Sequence, residues 1–237
     1  MKISIGSIFL CTAFIFLSCK SQPDIEQGKS EQVIKYIPSV CIEENAWVLT
    51  APTYKSSRTT VLSLGEKVIW LGINVIDSTD KNKEFFKVML SDSSEGWTRS
   101  SNIITNAKPA AVTDTLIVYQ RPEISTITDQ KLAPMDFIVL VKTQDNWAEI
   151  VSGGKEITGW ISNKNLTYKE IDIVVALQYL KIKDIQNDEQ KKEKIFDIID
   201  DIAFENSQFI PKLRRIVVDI VRRQQDQEKQ ESVTDSL

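Results

Sequence analysis

Apolar residues change their spacing three times along the chain. After Met1-Lys2 comes a stretch from Ile3 to Leu17 broken only by small or weakly polar residues. From Lys20 to Ser30 the chain is polar, with Pro23, Gly28 and no hydrophobic period. Such a segment cannot bury enough surface to offset its ordering entropy, so residues 19–39 are predicted to be a flexible tether. Between about residues 40 and 168, short runs of β-branched and aromatic residues alternate with turn signals, the pattern of small all-β barrels. From Lys169 the period lengthens to three-and-four spacing. Ile171, Val174, Val175 and Gln178, followed by Ile182, predict one helix. Ile195, Ile198, Ile199 and Ile202 predict a second, and Phe209, Leu213, Ile216, Val217 and Ile220 a third. Ser207 is a candidate N-cap for the third helix, and Pro211 falls in its first turn. The helical region spans 169–225, and the polar residues 226–237 are expected to be a disordered tail. The helices would form a small bundle or pack onto the barrel before them.

The β region reads as one unit written twice, at 40–106 and 107–168. Ala46-Trp47-Val48-Leu49-Thr50-Ala51-Pro52 matches Leu116-Ile117-Val118-Tyr119-Gln120-Arg121-Pro122. Phe85-Phe86-Lys87-Val88 matches Trp147-Ala148-Glu149-Ile150, and Gly96-Trp97 matches Gly159-Trp160. Ser152-Gly153-Gly154-Lys155 is a hairpin signal, because glycine supplies the positive φ such turns need. With the Leu64-Gly65-Glu66-Lys67-Val68 entry to a strand in the first unit, these elements in this order resemble the bacterial SH3-type (SH3b) domain. The resemblance covers about residues 40 to 168. It implies a mainly β N-terminal part of two small SH3-like barrels followed by an α-helical region, and a groove lined with aromatics that binds cell-wall peptides or other envelope ligands. The arginine common early in that family falls on Leu49 and Tyr119 here, which puts ligand contacts through it in doubt. A polar insertion, roughly Asn74 to Lys83, sets the first unit apart, so the two units are not expected to share a ligand.

The N-terminus bears on compartment. One basic residue, an apolar core and small residues form a secretory signal over 1–18. A spanning helix needs about 20 continuous apolar residues, more than are present. Phe16-Leu17-Ser18-Cys19 resembles the bacterial lipobox, which implies lipidation at Cys19 and a lipid-anchored protein of the cell envelope. Lys20 after the cysteine favours the outer membrane or cell surface over the inner membrane.

Composition then removes several classes of function. The net charge of −4 argues against nucleic acid, which needs a basic footprint. No histidine is present and no CxxC pair, so neither a zinc site nor another metal or cofactor is expected. Cys11 leaves with the signal and Cys19 carries lipid, leaving Cys41 as a small buried hydrophobe. Serine and cysteine nucleophiles lack a histidine base, and no paired carboxylates stand out, so the chain reads as non-enzymatic. Arg214, Arg215, Arg222 and Arg223 invite a membrane or nucleic-acid reading, but Arg215 and Arg222 fall opposite the apolar stripe, where a solvated face belongs.

Two functions remain, from different classes. In one the barrels are a binding module for cell-wall peptide, peptidoglycan or another envelope ligand, with Tyr54 and Trp97, and Tyr119 and Trp160, as groove residues. Trp47, Trp70 and Trp147 are expected to be structural. In the other the barrels are spacers, and the helical region docks an envelope protein. Exposure discriminates them: aromatics in an open cleft favour binding, and an exposed apolar helix stripe favours docking.

Overall fold

The two sequence repeats become two antiparallel sheets with the same strand order. A computed structural model describes residues 35–234 apart from Asp80, with side chains as far as Gln227. The signal, Cys19 and most of the tether lie outside the described residues. The first sheet contains β1 (Ile37–Cys41), β2 (Ala46–Leu49), β3 (Arg58–Leu62), β4 (Lys67–Asp77), β5 (Lys83–Met89), β6 (Glu95–Arg99) and β7 (Ile103–Thr105), in the order β3-β2-β6-β5-β4-β1-β7. The second contains β8 (Lys108–Val112), β9 (Leu116–Tyr119), β10 (Ile127–Leu132), β11 (Phe137–Gln144), β12 (Trp147–Ser152), β13 (Thr158–Ser162) and β14 (Leu166–Thr167), in the order β10-β9-β13-β12-β11-β8-β14. Strand for strand, the second order repeats the first.

Alternation explains the curl of each sheet, since successive side chains point to opposite faces. Cys41, Val48, Leu62, Val68, Val88 and Ile103 come from six strands and meet in one core. Their counterparts Val112, Val118, Leu132, Ile138 and Ile150 do the same in the second unit. The repeated Gly-Trp pair has a steric cause. A Cβ on Gly159 would sit 2.7 Å from Val118 Cγ1 and 2.8 Å from the Tyr119 carbonyl oxygen, and one on Gly96 would strike Val48. Only glycine lets these strands approach so closely.

Three expectations about boundaries are corrected. The tether does not reach residue 39, because β1 begins at Ile37 and pairs with both β4 and β7. The insertion at 74–83 is mostly the end of a hairpin: β4 runs on to Asp77 and β5 starts at Lys83, pairing Asn74↔Phe86, Val75↔Phe85 and Asp77↔Lys83 around a short turn. β-Branched Val75 and Ile76 suit that extended form. The tail is helical as far as Thr234, since α3 spans Ile210–Thr234. Its Gln, Glu and Lys residues are good helix formers and continue the turn beyond the last buried contact.

Helix α1 (Glu170–Leu180) buries Ile173, Val175 and Ala176, while Ile171 and Val174 are only partly covered, so its inner face is offset from the predicted stripe. Helix α2 (Asp188–Ile199) is capped by Asn187, whose side chain accepts from Gln190 N at 2.8 Å. It ends before Ile202, which is 80% exposed and not part of the stripe. Leu213, Val217 and Ile220 of α3 are buried as predicted, and Arg214, Arg215, Arg222 and Arg223 are exposed. The helices form no separate bundle. Ile195, Ile198, Leu213 and Val217 share one core with Val40 and Ile42 of the first unit and Ala111, Phe137 and Val139 of the second.

A buried carboxylate ties this assembly together. Asp172, fully buried in the first turn of α1, accepts from Thr167 Oγ1 (2.7 Å), Ser207 Oγ (2.8 Å), Gln208 N (3.0 Å) and Gln208 Nε2 (2.6 Å). Ser207 therefore joins α1 to the start of α3 besides accepting from Phe209 N at 3.3 Å. The units also meet through the β12–β13 hairpin, where Gly154 takes the predicted positive φ of 68°. Gly154 N donates to the Ile42 carbonyl at 3.0 Å, and Lys155 Nζ donates to the Ser101 carbonyl at 2.6 Å.

Candidate functional site

Strand register assembles an aromatic and charged surface on the outside of the first unit. Val48 points into the core, so Trp47 and Leu49 lie on the opposite face, where Trp47 is exposed and Leu49 is covered. Leu49 pairs with Trp97 and Phe85 with Arg99, which sets Trp47, Arg99 and Phe85 in one row across β2, β6 and β5. The loop between β2 and β3 lays Tyr54 over this row. Tyr54 meets Phe85 edge-on at 5.5 Å and Trp47 at 6.3 Å between ring centroids. The Arg99 guanidinium lies 5.6 Å from the Tyr54 ring centre, and that of Arg58 lies 5.5 Å from Trp47. Ser56 fixes the loop: its hydroxyl stands 2.9 and 2.8 Å from the Ala51 and Thr53 carbonyl oxygens.

The turn Glu43-Glu44-Asn45 closes one end, leaving a cleft of about 440 Å³ walled by Trp47, Tyr54 and Arg99. Glu44 is committed to the framework. It accepts from Leu64 N at 3.0 Å and lies 3.9 Å from Lys181 Nζ. The Glu43 carboxylate and the Arg99 guanidinium make no ion pair or side-chain hydrogen bond among the described residues. Beneath the turn, Cys41 is fully buried, and burial pushes its thiol up to about 11 even though the Sγ–H donates to the Glu43 carbonyl at 3.2 Å.

Of the sequence-predicted groove residues, Tyr54 lines the cleft, whereas Trp97 lies one row away, half-buried between Leu49 and Lys87. In the second unit Tyr119 and Trp160 are direct cross-strand partners. Tyr119 packs edge-on against Trp147 at 4.9 Å, and Lys142 Nζ lies 5.9 Å from the Trp160 ring centre. A hollow of about 580 Å³ borders Trp160, Val141 and Glu149 but not Tyr119. Trp70 is structural as expected, stacked on Phe86 at 4.7 Å with its Nε1 donating to Ile73 O at 3.1 Å.

Trp47 is the correction: expected to be structural, it is 46% exposed and lines the cleft. Parity along β2 was the available signal, since the inward Val48 forces its neighbour outward. The second unit has no counterpart cleft among its described hollows. Ile117, Ile124 and Ser162 stand where the first has Trp47, Tyr54 and Arg99.

The fold defines a mainly β protein of two antiparallel sheets with the same strand order, followed by a packed helical C-terminal region. No family model and no curated protein matches the sequence. Among solved structures, the chain is similar to NlpC2 from Trichomonas vaginalis, at 16% identity over 71% of this chain and 56% of that one, with a TM-score of 0.25. NlpC1 from the same organism matches at 15% identity over 72% of this chain and 54% of that one, also with a TM-score of 0.25. The native structure of CBDP35 matches at 10% identity over 57% of this chain and 98% of that one, with a TM-score of 0.18. The chain thus spans about half the length of the two NlpC structures.

Proposed function

We propose that this chain is a lipoprotein of the bacterial envelope, anchored through Cys19, that acts as a non-catalytic binding module for cell-wall peptide or peptidoglycan. The observation that carries the reading is the open cleft of the first unit. Trp47 leaves 46% of its surface exposed there, beside Tyr54 and the Arg99 guanidinium, which makes no ion pair among the described residues. Large rings offer apolar area at low side-chain entropy, and the charged rim supplies orientation. The non-enzymatic part is supported by the lack of histidine and by the one thiol near the cleft, which is buried and held protonated. The apolar helix stripe that a docked protein would need faces the shared core instead, where Ile195, Leu213 and Ile220 are covered. The second unit and the helices serve as the platform that holds the cleft.

The test is retention of the chain from Ser21 onward on purified sacculi, beside Trp47→Ala and the Trp97→Ala/Trp160→Ala pair. Retention of the wild type and of the pair, with loss in a folded Trp47→Ala, is the expected result. No retention of the wild type at low salt overturns the wall-binding reading and turns the search to protein partners.

A further inference from the structure

We infer that an apolar crevice at the seam of the two units holds one acyl chain of an anionic phospholipid, whose phosphate meets Lys108 and Lys142. The inference rests on the lipid-anchored part of the reading above and not on the aromatic cleft.

Register builds the crevice. Pro38, Ile69 and Met89 are cross-strand neighbours on β1, β4 and β5, which sets them in one row on one face of the first sheet. That face turns away from the first unit's own core, because Val68, next to Ile69, points into that core. Ala107, Lys108 and Pro109, where the second unit begins, complete the lining around a space of about 420 Å³. Ile69, Met89 and Pro109 are left half-buried.

The lining suits a chain without hydrogen-bonding groups. The strands that contribute, β1, β4, β5 and β8, are each paired on both sides, so no open edge is left to receive a peptide. Two of the residues are prolines, which carry no N–H. The Ser39 hydroxyl is already committed to the Ile37 carbonyl at 3.0 Å. A peptide or sugar would lose hydrogen bonds to water there without replacing them, and a hydrocarbon chain loses none.

Charge identifies the head. Lys108 lines the crevice and also a second hollow of about 590 Å³, bordered by Asn106, Lys142 and Tyr168. No carboxylate lines either space among the described residues, although the chain carries a net charge of −4. Lys108 and Lys142 are exposed and make no ion pair among the described residues, whereas Lys67, also at the crevice, lies 3.4 Å from Glu170. Two such ammonium groups beside an apolar slot match the two parts of an anionic lipid. Tyr168 is exposed, and its apolar ring and polar tip suit the headgroup level of a bilayer.

Connectivity brings this site to the membrane. The segment that bears Cys19 enters the sheet at Lys35, whose N–H donates to the Leu71 carbonyl at 3.1 Å, and Pro38 follows three residues later. Lipid bound here adds a second attachment next to the first, and two weak attachments hold a protein where one is marginal.

The test titrates palmitoyl lysophosphatidylglycerol, below its micelle-forming concentration, into the unlipidated chain from Ser21 onward. One molecule is expected to bind per chain. The lauroyl form should bind about tenfold more weakly or worse, as should palmitoyl lysophosphatidylcholine, and glycerophosphoglycerol should not bind. Met89→Trp, which fills the crevice, should weaken the palmitoyl lipid about tenfold. Lys108→Gln/Lys142→Gln, on the surface, should erase the preference between headgroups and keep the preference for the longer chain. Arg214→Gln/Arg215→Gln should change neither. If Met89→Trp does not fold, the chain-length comparison and the lysine pair still decide. Equal binding of the two chain lengths, equal binding of the two headgroups, or a loss that follows the arginine pair instead of the lysine pair overturns the inference. Palmitate incorporation at Cys19 in a bacterial host reads the anchor separately. Acylation without lysolipid binding sinks this inference alone, and lysolipid binding without acylation sinks the anchor reading alone.

Discussion

Replacing Asp172 tests whether the helices are held by one buried carboxylate or merely rest on the sheets. Asp172 accepts four hydrogen bonds, from Thr167, Ser207 and both the backbone and side chain of Gln208, and is fully buried. Asp172→Ala leaves those donors buried without a partner, at about 1–3 kcal/mol for each that water cannot reach. Relaxation and water entry recover part of this, so a loss of about 3–5 kcal/mol is expected. For a chain of this length, that is a fall in Tm of about 6–20 °C. Asp172→Asn keeps one acceptor. The Thr167 hydroxyl can rotate and the Gln208 amide can turn to meet its new amino group, so the expected loss is about 1–2 kcal/mol.

The same residue gives a pH signature. Burial raises the Asp172 carboxyl, but its hydrogen bonds to Thr167, Gln208 and Ser207 outweigh burial and hold it below the usual carboxylate range. A folded-state value below the unfolded one means the contribution is complete above the unfolded value, about 3.9, and is lost as pH falls through the folded value. Urea unfolding at pH 7 and pH 3 measures both effects. Wild type should lose more stability on acidification than Asp172→Asn. An Asp172→Ala chain within about 0.5 kcal/mol of wild type at pH 7 would refute the reasoning, because such a cluster could not then be dry.

Three further outcomes follow from the packing. Gly159→Ala places a methyl 2.8 Å from the Tyr119 carbonyl oxygen and should destabilise the second unit by about 2–3 kcal/mol, read by urea midpoint; a neutral result would mean the strand shifts freely. Cys41, buried and held protonated up to about 11, should resist iodoacetamide at pH 8 in the native chain and react once unfolded, by intact mass. A chain ending at Tyr168 exposes Val40, Ala111 and Phe137 and should bind a hydrophobic dye or aggregate; a monomeric, dye-silent product would show that the sheets do not need the helices.

Local period made the sheets and helices legible, and register hid the site. Gly96-Trp97 and Gly159-Trp160 marked matching strands because a steric demand fixes glycine at both positions. The first strand of each unit escaped notice because each carries a proline, Pro38 in β1 and Pro109 in β8, and proline argues against a paired strand. Tyr54 could be named from sequence, but its setting could not, since the row of Trp47, Arg99 and Phe85 exists only once three strands are in register. Asp172 was invisible for a similar reason: two of its partners lie 35 and 36 residues away. Ile202 misled by continuing a stripe past the end of the helix that carries it.

The hairpin at Gly154 and Lys155 makes the two units unequal in role. The second copy holds isoleucines and a serine where the first holds its rings and guanidinium, and its hairpin backs the wall of the first copy's cleft. A chain without the second unit would lose that brace. Swapping the cleft residues between copies would move the rings without moving their support.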